Sequence, residues 1–83
     1  MDLEAIKKAI DIQTESGRIM AQVVISSYRS GEMVNLYELD HLDSKNFDLA
    51  IQVMSYRRRR GWDDEDFWRL ERHAVQRLSS PRH

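Results

Sequence analysis

Apolar residues recur every three or four positions along most of this 83-residue chain, and this spacing constrains the fold more than any other feature. No segment alternates apolar and polar residues long enough to predict a strand. Three glycines and one proline also argue against a fold with many turns. The sequence therefore predicts an all-α fold, a small bundle of three main helices plus one short helix, in a single domain over residues 1–83.

The predicted helices span residues 3–30, 36–42, 44–60 and 63–79. Within the first we expect a bend or break at Gly17, and the alternative is two helices with Ser16 capping the second. Gly31 is well placed to end that helix in the left-handed conformation. Asn35 is a good N-cap for the short helix, and Asp43 or Ser44 caps the next one.

The last helix has the clearest start signal. With Asp63 as its N-cap, Trp62 and Phe67 occupy the positions of a hydrophobic staple, and acidic residues fill the first turn. Pro81 ends it. We expect helix 44–60, which stops at Gly61, to be central because apolar residues occupy two sides of it. The predicted core comprises Leu3, Ile6, Ile10, Met20, Val23, Val24, Leu39, Phe47, Ile51, Met54, Phe67, Leu70, Ala74 and Leu78.

The chain has no cysteine, which excludes disulfides, thiolate zinc sites and cysteine nucleophiles and suits a reducing compartment. No apolar run approaches the roughly 18 residues of a membrane span. The acidic start at Asp2 and Glu4 lacks the positive region of a signal peptide. We therefore expect a cytoplasmic protein without a membrane partner.

Charge is divided unevenly along the chain. Residues 1–56 carry five Lys or Arg against nine Asp or Glu, whereas residues 57–83 carry eight against five. Four consecutive arginines, Arg57, Arg58, Arg59 and Arg60, step around a helix by about 100° each, so they cannot all pair with one side. One interpretation is contact with phosphate or an acidic protein. The other is a solvated helix end that pairs with the acidic residues 63–66.

The candidate metal ligands Asp40, His41, Asp43 and Asp48 have neither the calcium-loop spacing nor the His-Glu-x-x-His zinc pattern. The sequence also lacks a nucleophile elbow and a phosphate-cradling glycine loop. His73 fits a surface or partly buried position better than a general base. Such a bundle should have little room for a ligand pocket of about 300 Å³. We expect no metal, no cofactor and no enzymatic activity.

Residues 36–42, the turn at Asp43 and Ser44, and the helix that follows are similar to a helix-turn-helix. This arrangement makes nucleic-acid binding through Arg57–Arg60 the alternative function. The sequence pI of about 6.3 argues against it. So does the helix start Lys45-Asn46-Phe47-Asp48, which offers few groups that read bases.

A family resemblance covers most of the chain. It rests on an amphipathic first helix, Thr14-x-Ser16-Gly17-Arg18 with Ala21 after it, Leu36-Tyr37-Glu38-Leu39-Asp40, and residues 47–54. In these features the chain resembles a family of short uncharacterised bacterial proteins, often encoded near phage or other mobile-element genes. Because that family has no established activity, the resemblance implies a setting and no site residue.

The leading functional hypothesis is a small protein-binding module of the adaptor or inhibitor type. Arginine and the aromatic residues Tyr37, Tyr56, Trp62 and Trp68 exceed what capping and a core require, and both types are enriched at interface hot spots. A second copy of the chain is a further candidate partner, since dimerisation buries apolar area that so small a domain cannot bury alone. The predicted partner-binding residues are Arg57, Arg58, Arg59, Arg60, Tyr56 and Trp62.

Overall fold

Five helices follow one another in the residues described by the computed structural model, which are 1–29, 33–60 and 64–79. They are α1 (Leu3–Asp11), α2 (Glu15–Tyr28), α3 (Leu36–Leu39), α4 (Ser44–Arg60) and α5 (Glu65–Ser79). These ranges contain no strand. The all-α prediction is confirmed, and α4 has the predicted bounds.

The first predicted helix is interrupted earlier than the sequence indicates. The chain leaves α1 at Ile12 and enters α2 after Thr14, whose backbone is extended. Gly17 lies buried inside α2, so the predicted bend at Gly17 and the cap at Ser16 are wrong. A Cβ on Gly17 would lie 2.0 Å from the carbonyl oxygen of Ile12. Glycine is therefore needed for the close approach of α2 to the end of α1.

Short polar side chains begin several helices, as their capping chemistry predicts. Asp2 accepts from the backbone N–H of Ala5, Asn35 from that of Tyr37, and Asp43 from that of Asn46. The caps at Asn35 and Asp43 are confirmed.

Two helices are shorter than predicted. In α5, which begins at Glu65, Asp64 accepts from the backbone N–H of Phe67 and so caps the helix. The helix α3 ends at Leu39, and residues 40–42 continue as a turn closed by backbone hydrogen bonds. The predicted roles of Gly31, Gly61, Trp62, Asp63 and Pro81 concern residues outside the described ranges.

The central helix is α2 and not α4. It packs against α1, α4 and α5, and it is buried on nearly all sides. Because only one side of α4 faces α2, only one of its two apolar sides enters the core. Leu49, Ala50 and Val53 are buried there, which the predicted core omits.

Several predicted core positions are corrected by this packing. Phe47, Ile51 and Leu78 are 40%, 44% and 36% exposed, while Leu3 and Met54 are partly buried against the core. The other predicted core residues are buried: Ile6, Ile10, Met20, Val23, Val24, Leu39, Phe67, Leu70 and Ala74. Buried residues that the prediction missed also include Ala9, Ile19, Ala21, Ile25 and Leu42.

Two aromatic contacts and one arginine hold the helices together. Phe67 is fully buried, and the rings of Tyr28 and Tyr56 meet it edge-on at centroid distances of 5.3 and 5.6 Å. On α5, Arg77 Nε donates to the carbonyl oxygen of Ile10 at 3.0 Å. The same guanidinium donates to the carbonyls of residues 12 and 14 at 3.1 and 3.4 Å. Arg77 thus satisfies the carbonyls of Ile10 and Ile12, which the end of α1 leaves without helical partners, while the Thr14 carbonyl also accepts from the N–H of Arg18.

Candidate contact surface on α4

One side of α4 carries apolar residues that lie partly or largely outside the core. Phe47, Ile51, Met54 and Arg58 follow each other at spacings of four, three and four residues, so they lie along one side of the helix. We call these four residues the α4 outer face. Phe47 and Ile51 are 40% and 44% exposed, Met54 is half-buried, and Arg58 is exposed. The inward stripe, Leu49, Ala50 and Val53, is the buried part of α4, and Met54 and Tyr56 pack against the core at its edges.

The arginine run lies at the C-terminal end of this face. Arg57, Arg58 and Arg59 are exposed, and none of them forms an ion pair within the described part of the chain. Successive residues of a helix point about 100° apart, so the three side chains point in different directions around the end of α4. The side chain of Arg60 lies outside what the structure describes.

The acidic residues that follow have other partners. Glu65 pairs with Arg69 at 2.6 Å, and Asp64 caps α5 through the N–H of Phe67. Asp66 is exposed and forms no ion pair in the described ranges. Within the described ranges, Arg57, Arg58 and Arg59 therefore do not pair with Glu65 or Asp66, and their three positive charges stay available to a partner.

The aromatic candidates divide between core and surface. Tyr56 is half-buried against Phe67, so its ring supports the packing of α4 on α5. Trp68 on α5 is 49% exposed, and Tyr37 on α3 is 70% exposed with its ring edge-on to His41. Trp62 is outside the described residues. Sequence reasoning selected the arginines but missed Phe47 and Ile51, which it assigned to the core.

The α3 region is held to α2 by an ion-pair cluster. Arg18 donates to Glu15 and to Glu38, each with a shortest distance of 2.5 Å. The hydrogen bond from Arg18 lowers the pKa of Glu15, and the bonds to both carboxylates raise the pKa of Arg18. In addition, Gln22 Nε2 donates to the carbonyl oxygen of Met33 at 2.8 Å. These contacts fix the chain that leads into α4.

An open groove of about 460 Å³ lies between α1 and the start of α4. Its floor is apolar, with Ala5, Ala9 and Leu49, and charged side chains including Lys8 and Lys45 line its rim. The expectation that the bundle lacks room for a cavity of ligand size is therefore wrong. The groove holds no histidine and no hydroxyl side chain among its lining residues.

Polar groups elsewhere serve contacts between helices. His73 Nε2 lies 2.7 Å from Asp11 Oδ1 and joins α5 to the end of α1. Glu71, 1% exposed, pairs through Oε2 with Nε of Arg29 at the end of α2, although the contact is not aligned as a hydrogen bond. No group of three or more His, Asp or Glu side chains in the described ranges is arranged to hold a metal ion.

The resemblance to a helix-turn-helix is limited by the first helix. The helix α3 is a single turn of four residues, and α4 begins after a connection of four residues. The start of α4 carries Asp43 as its cap and Asp48 in its second turn, both exposed. Carboxylates at this end repel phosphate, whereas the exposed arginines lie at the other end of the same helix.

The fold and this surface define a small helical bundle with one apolar and cationic helix face. Comparison with protein-family models, curated proteins and solved structures finds no match for the chain. Within the part of the chain that the structure describes, no helix has the length and apolar character to cross a membrane.

Proposed function

We propose that this protein is a small, non-enzymatic protein-binding module, of the adaptor or inhibitor type, that contacts its partner through the α4 outer face. One observation carries the proposal. Phe47 and Ile51 stay uncovered on the same helix that ends in three exposed arginines without ion pairs. The cytoplasmic location that the sequence leads us to expect, and the bacterial or mobile-element origin that the family resemblance implies, belong to the same proposal.

The chemistry of this face defines the partner it fits. Fully burying a Phe or Ile side chain contributes about 1.5–3 kcal/mol, so covering the exposed 40% of Phe47 contributes about 1 kcal/mol. Ile51 adds a similar amount. Arg58 and its neighbours favour carboxylates, with which a guanidinium forms two parallel hydrogen bonds. The partner surface is therefore an apolar depression bordered by Asp or Glu side chains.

Site-specific photocrosslinking in cells of the native host tests this proposal. A benzophenone amino acid replaces Phe47 in one variant and Trp68, on α5, in a control variant. The two positions are aromatic and similarly exposed, at 40% and 49%. Mass spectrometry then identifies the crosslinked protein and the segment that touches the probe.

The expected result is a protein crosslinked from position 47 but not from position 68, through a segment that contains Asp or Glu. Adding Arg58→Glu should abolish that crosslink, because a carboxylate would then face carboxylates. Equal crosslinking from both positions, or a contacted segment without acidic residues, would contradict the proposal.

Nucleic-acid binding through Arg57–Arg60 is the second candidate, favoured by the lack of ion pairs at Arg57, Arg58 and Arg59. If these side chains contact duplex phosphates, affinity falls with salt with a log–log slope of about −0.9 per contact. Changing Arg58 and Arg59 together to Gln then flattens the slope by about two and weakens binding to all sequences alike. An anisotropy titration at about 50 mM salt measures this, and we expect weak or no duplex binding.

A further inference from the structure

The outer side of α4 has the residue spacing of a coiled-coil seam. Ser44, Phe47, Ile51, Met54 and Arg58 alternate steps of three and four residues along 17 helical residues. This is the spacing of the a and d positions of a heptad repeat, whose side chains form the strip along which a second helix packs. The helix is about 25 Å long, so the seam runs for four turns. Its centre is Ile51, which is 44% exposed.

The charges on α4 favour one orientation of that second helix. Asp48 lies near its start, in the second turn, and Arg57, Arg58 and Arg59 lie at its end. Neither Asp48 nor these arginines form an ion pair within the described ranges. A parallel copy would place arginines against arginines. An antiparallel copy places the cationic end of each helix beside the acidic start of the other, and it also aligns the helix dipoles favourably.

Lys45 is the cation at the acidic end of α4, and it lines the groove beside α1. It therefore lies on a different side of the helix from Phe47 and Ile51. Asp43 lines the same groove and caps the N–H of Asn46, so the acidic group beside the seam at this end is Asp48.

We propose that a second copy of this chain covers the α4 outer face, with the two α4 helices antiparallel about a two-fold axis near Ile51. This inference rests on the proposed function, because it names a partner for the same face. A two-fold axis makes the interface self-complementary, so the contact between the cationic end of one α4 and the acidic start of the other occurs twice in the dimer.

The size of the interface predicts how firmly the copies bind. Specific stable interfaces bury about 800 Å² per partner, and a single pair of helices about 25 Å long offers less. The dimer is therefore reversible. A different protein that presents an apolar depression bordered by carboxylates displaces the second copy, so self-association and partner binding exclude each other.

Sedimentation velocity of the purified full chain tests the proposal, from about 10 µM to 1 mM protein at low salt. The wild-type chain should shift from monomer to dimer over this range, and high salt should weaken the shift. Ile51→Glu places two carboxylates together at the axis and should lower the association constant at least about tenfold. Trp68→Glu, an exposed position on α5, is the matched control and should leave it unchanged. Thermal melts confirm that each variant is folded.

Charge exchange tests the antiparallel orientation and does not depend on Ile51. Arg58→Glu should weaken the dimer, and adding Asp48→Arg should restore it, because the two ends of α4 then exchange sign together. A wild-type chain that stays monomeric at about 1 mM overturns the proposal. Loss of the dimer in Trp68→Glu but not in Ile51→Glu also overturns it, as does failure of Asp48→Arg to restore association.

These experiments distinguish failure of the dimer from failure of the proposed binding to a different protein. A monomeric chain that still crosslinks from position 47 to an acidic partner keeps the proposed function and overturns the dimer. A chain that dimerises through Ile51 and crosslinks from position 47 only to itself keeps the dimer and overturns binding to a different protein.

Discussion

Replacing Gly17 with alanine tests why glycine stands at this position. If Gly17 is an ordinary helical residue the change should stabilise the fold, and if it is needed for a close approach the change should destabilise it. In an ordinary helix interior, Gly→Ala stabilises by about 1 kcal/mol, because alanine is the better helix former. At Gly17 the added Cβ would lie 2.0 Å from the Ile12 carbonyl oxygen, where ordinary contacts are 3.4 Å or longer. The backbone at the end of α1 must therefore move by more than an ångström.

That movement also disturbs the contacts of Arg77, which donates to the carbonyl oxygens of Ile10 and Ile12. Overpacking costs about 1–3 kcal/mol, and weakening one charge-assisted hydrogen bond adds about 1.5–3 kcal/mol. After subtracting the gain of about 1 kcal/mol in helix propensity, the expected loss is about 1.5–5 kcal/mol. For a domain of this size that corresponds to a fall in Tm of about 6–40 °C.

Thermal and urea unfolding, followed by circular dichroism, measure this change. Ser55→Ala on α4 is the control, because Ser55 is an exposed helical residue and its replacement should change stability by less than about 0.5 kcal/mol. A Gly17→Ala variant as stable as the wild type, or more stable, would refute the argument that α2 requires glycine to pass the end of α1.

Three further variants test the packing and the ion pairs. Arg77→Met removes the donors to the carbonyls at the end of α1 and should cost about 1–3 kcal/mol in urea unfolding; a loss below about 0.5 kcal/mol would show that water replaces them equally well. Phe67→Ala, at a fully buried position, should cost about 3–5 kcal/mol, and a variant that melts like the parent would contradict the core described here. Arg18 lowers the pKa of Glu15 below 4.5, so the stability that this pair contributes is present above that pH and is lost as the pH falls through the lowered value. The Glu15→Gln variant should therefore be slightly less stable than wild type at neutral pH and equally stable in acid. A stability difference that grows as the pH falls would contradict the lowered pKa of Glu15.

Local signals in the sequence predict the parts of the fold that depend on local chemistry. Asn35 and Asp43 precede apolar helical stretches, and each caps its helix as a short polar side chain should. The bounds of α4 follow from its apolar spacing and its polar start. In these places the backbone conformation is determined by residues that are close in sequence.

Positions set by how two helices meet are not predictable in this way. A glycine within a helical pattern marks either a break or a close approach, and only the location of Ile12 shows that Gly17 serves the second. Arg77 bonds carbonyls 65 and 67 residues away, for which the sequence offers no spacing signal.

The candidate site was predictable only in part for the same reason. Four adjacent arginines are visible in any reading of the sequence. The apolar half of the surface is not, because α4 has two apolar sides and the position of α2 decides which one is buried. The inward side chains, such as Val53, are in the core, and Phe47 and Ile51 are left outside.

The affinity of two single variants for the crosslinked partner tests most directly whether the α4 outer face is the binding surface. Phe47→Ser and Trp68→Ser each remove an aromatic side chain of similar exposure, one on α4 and one on α5. Titration calorimetry with the purified partner should show Phe47→Ser weakening binding about fivefold, as expected for the loss of about 1 kcal/mol of apolar burial, and Trp68→Ser changing it less than about twofold. Equal effects of the two variants, or a larger effect of Trp68→Ser, would contradict the assignment of binding to α4.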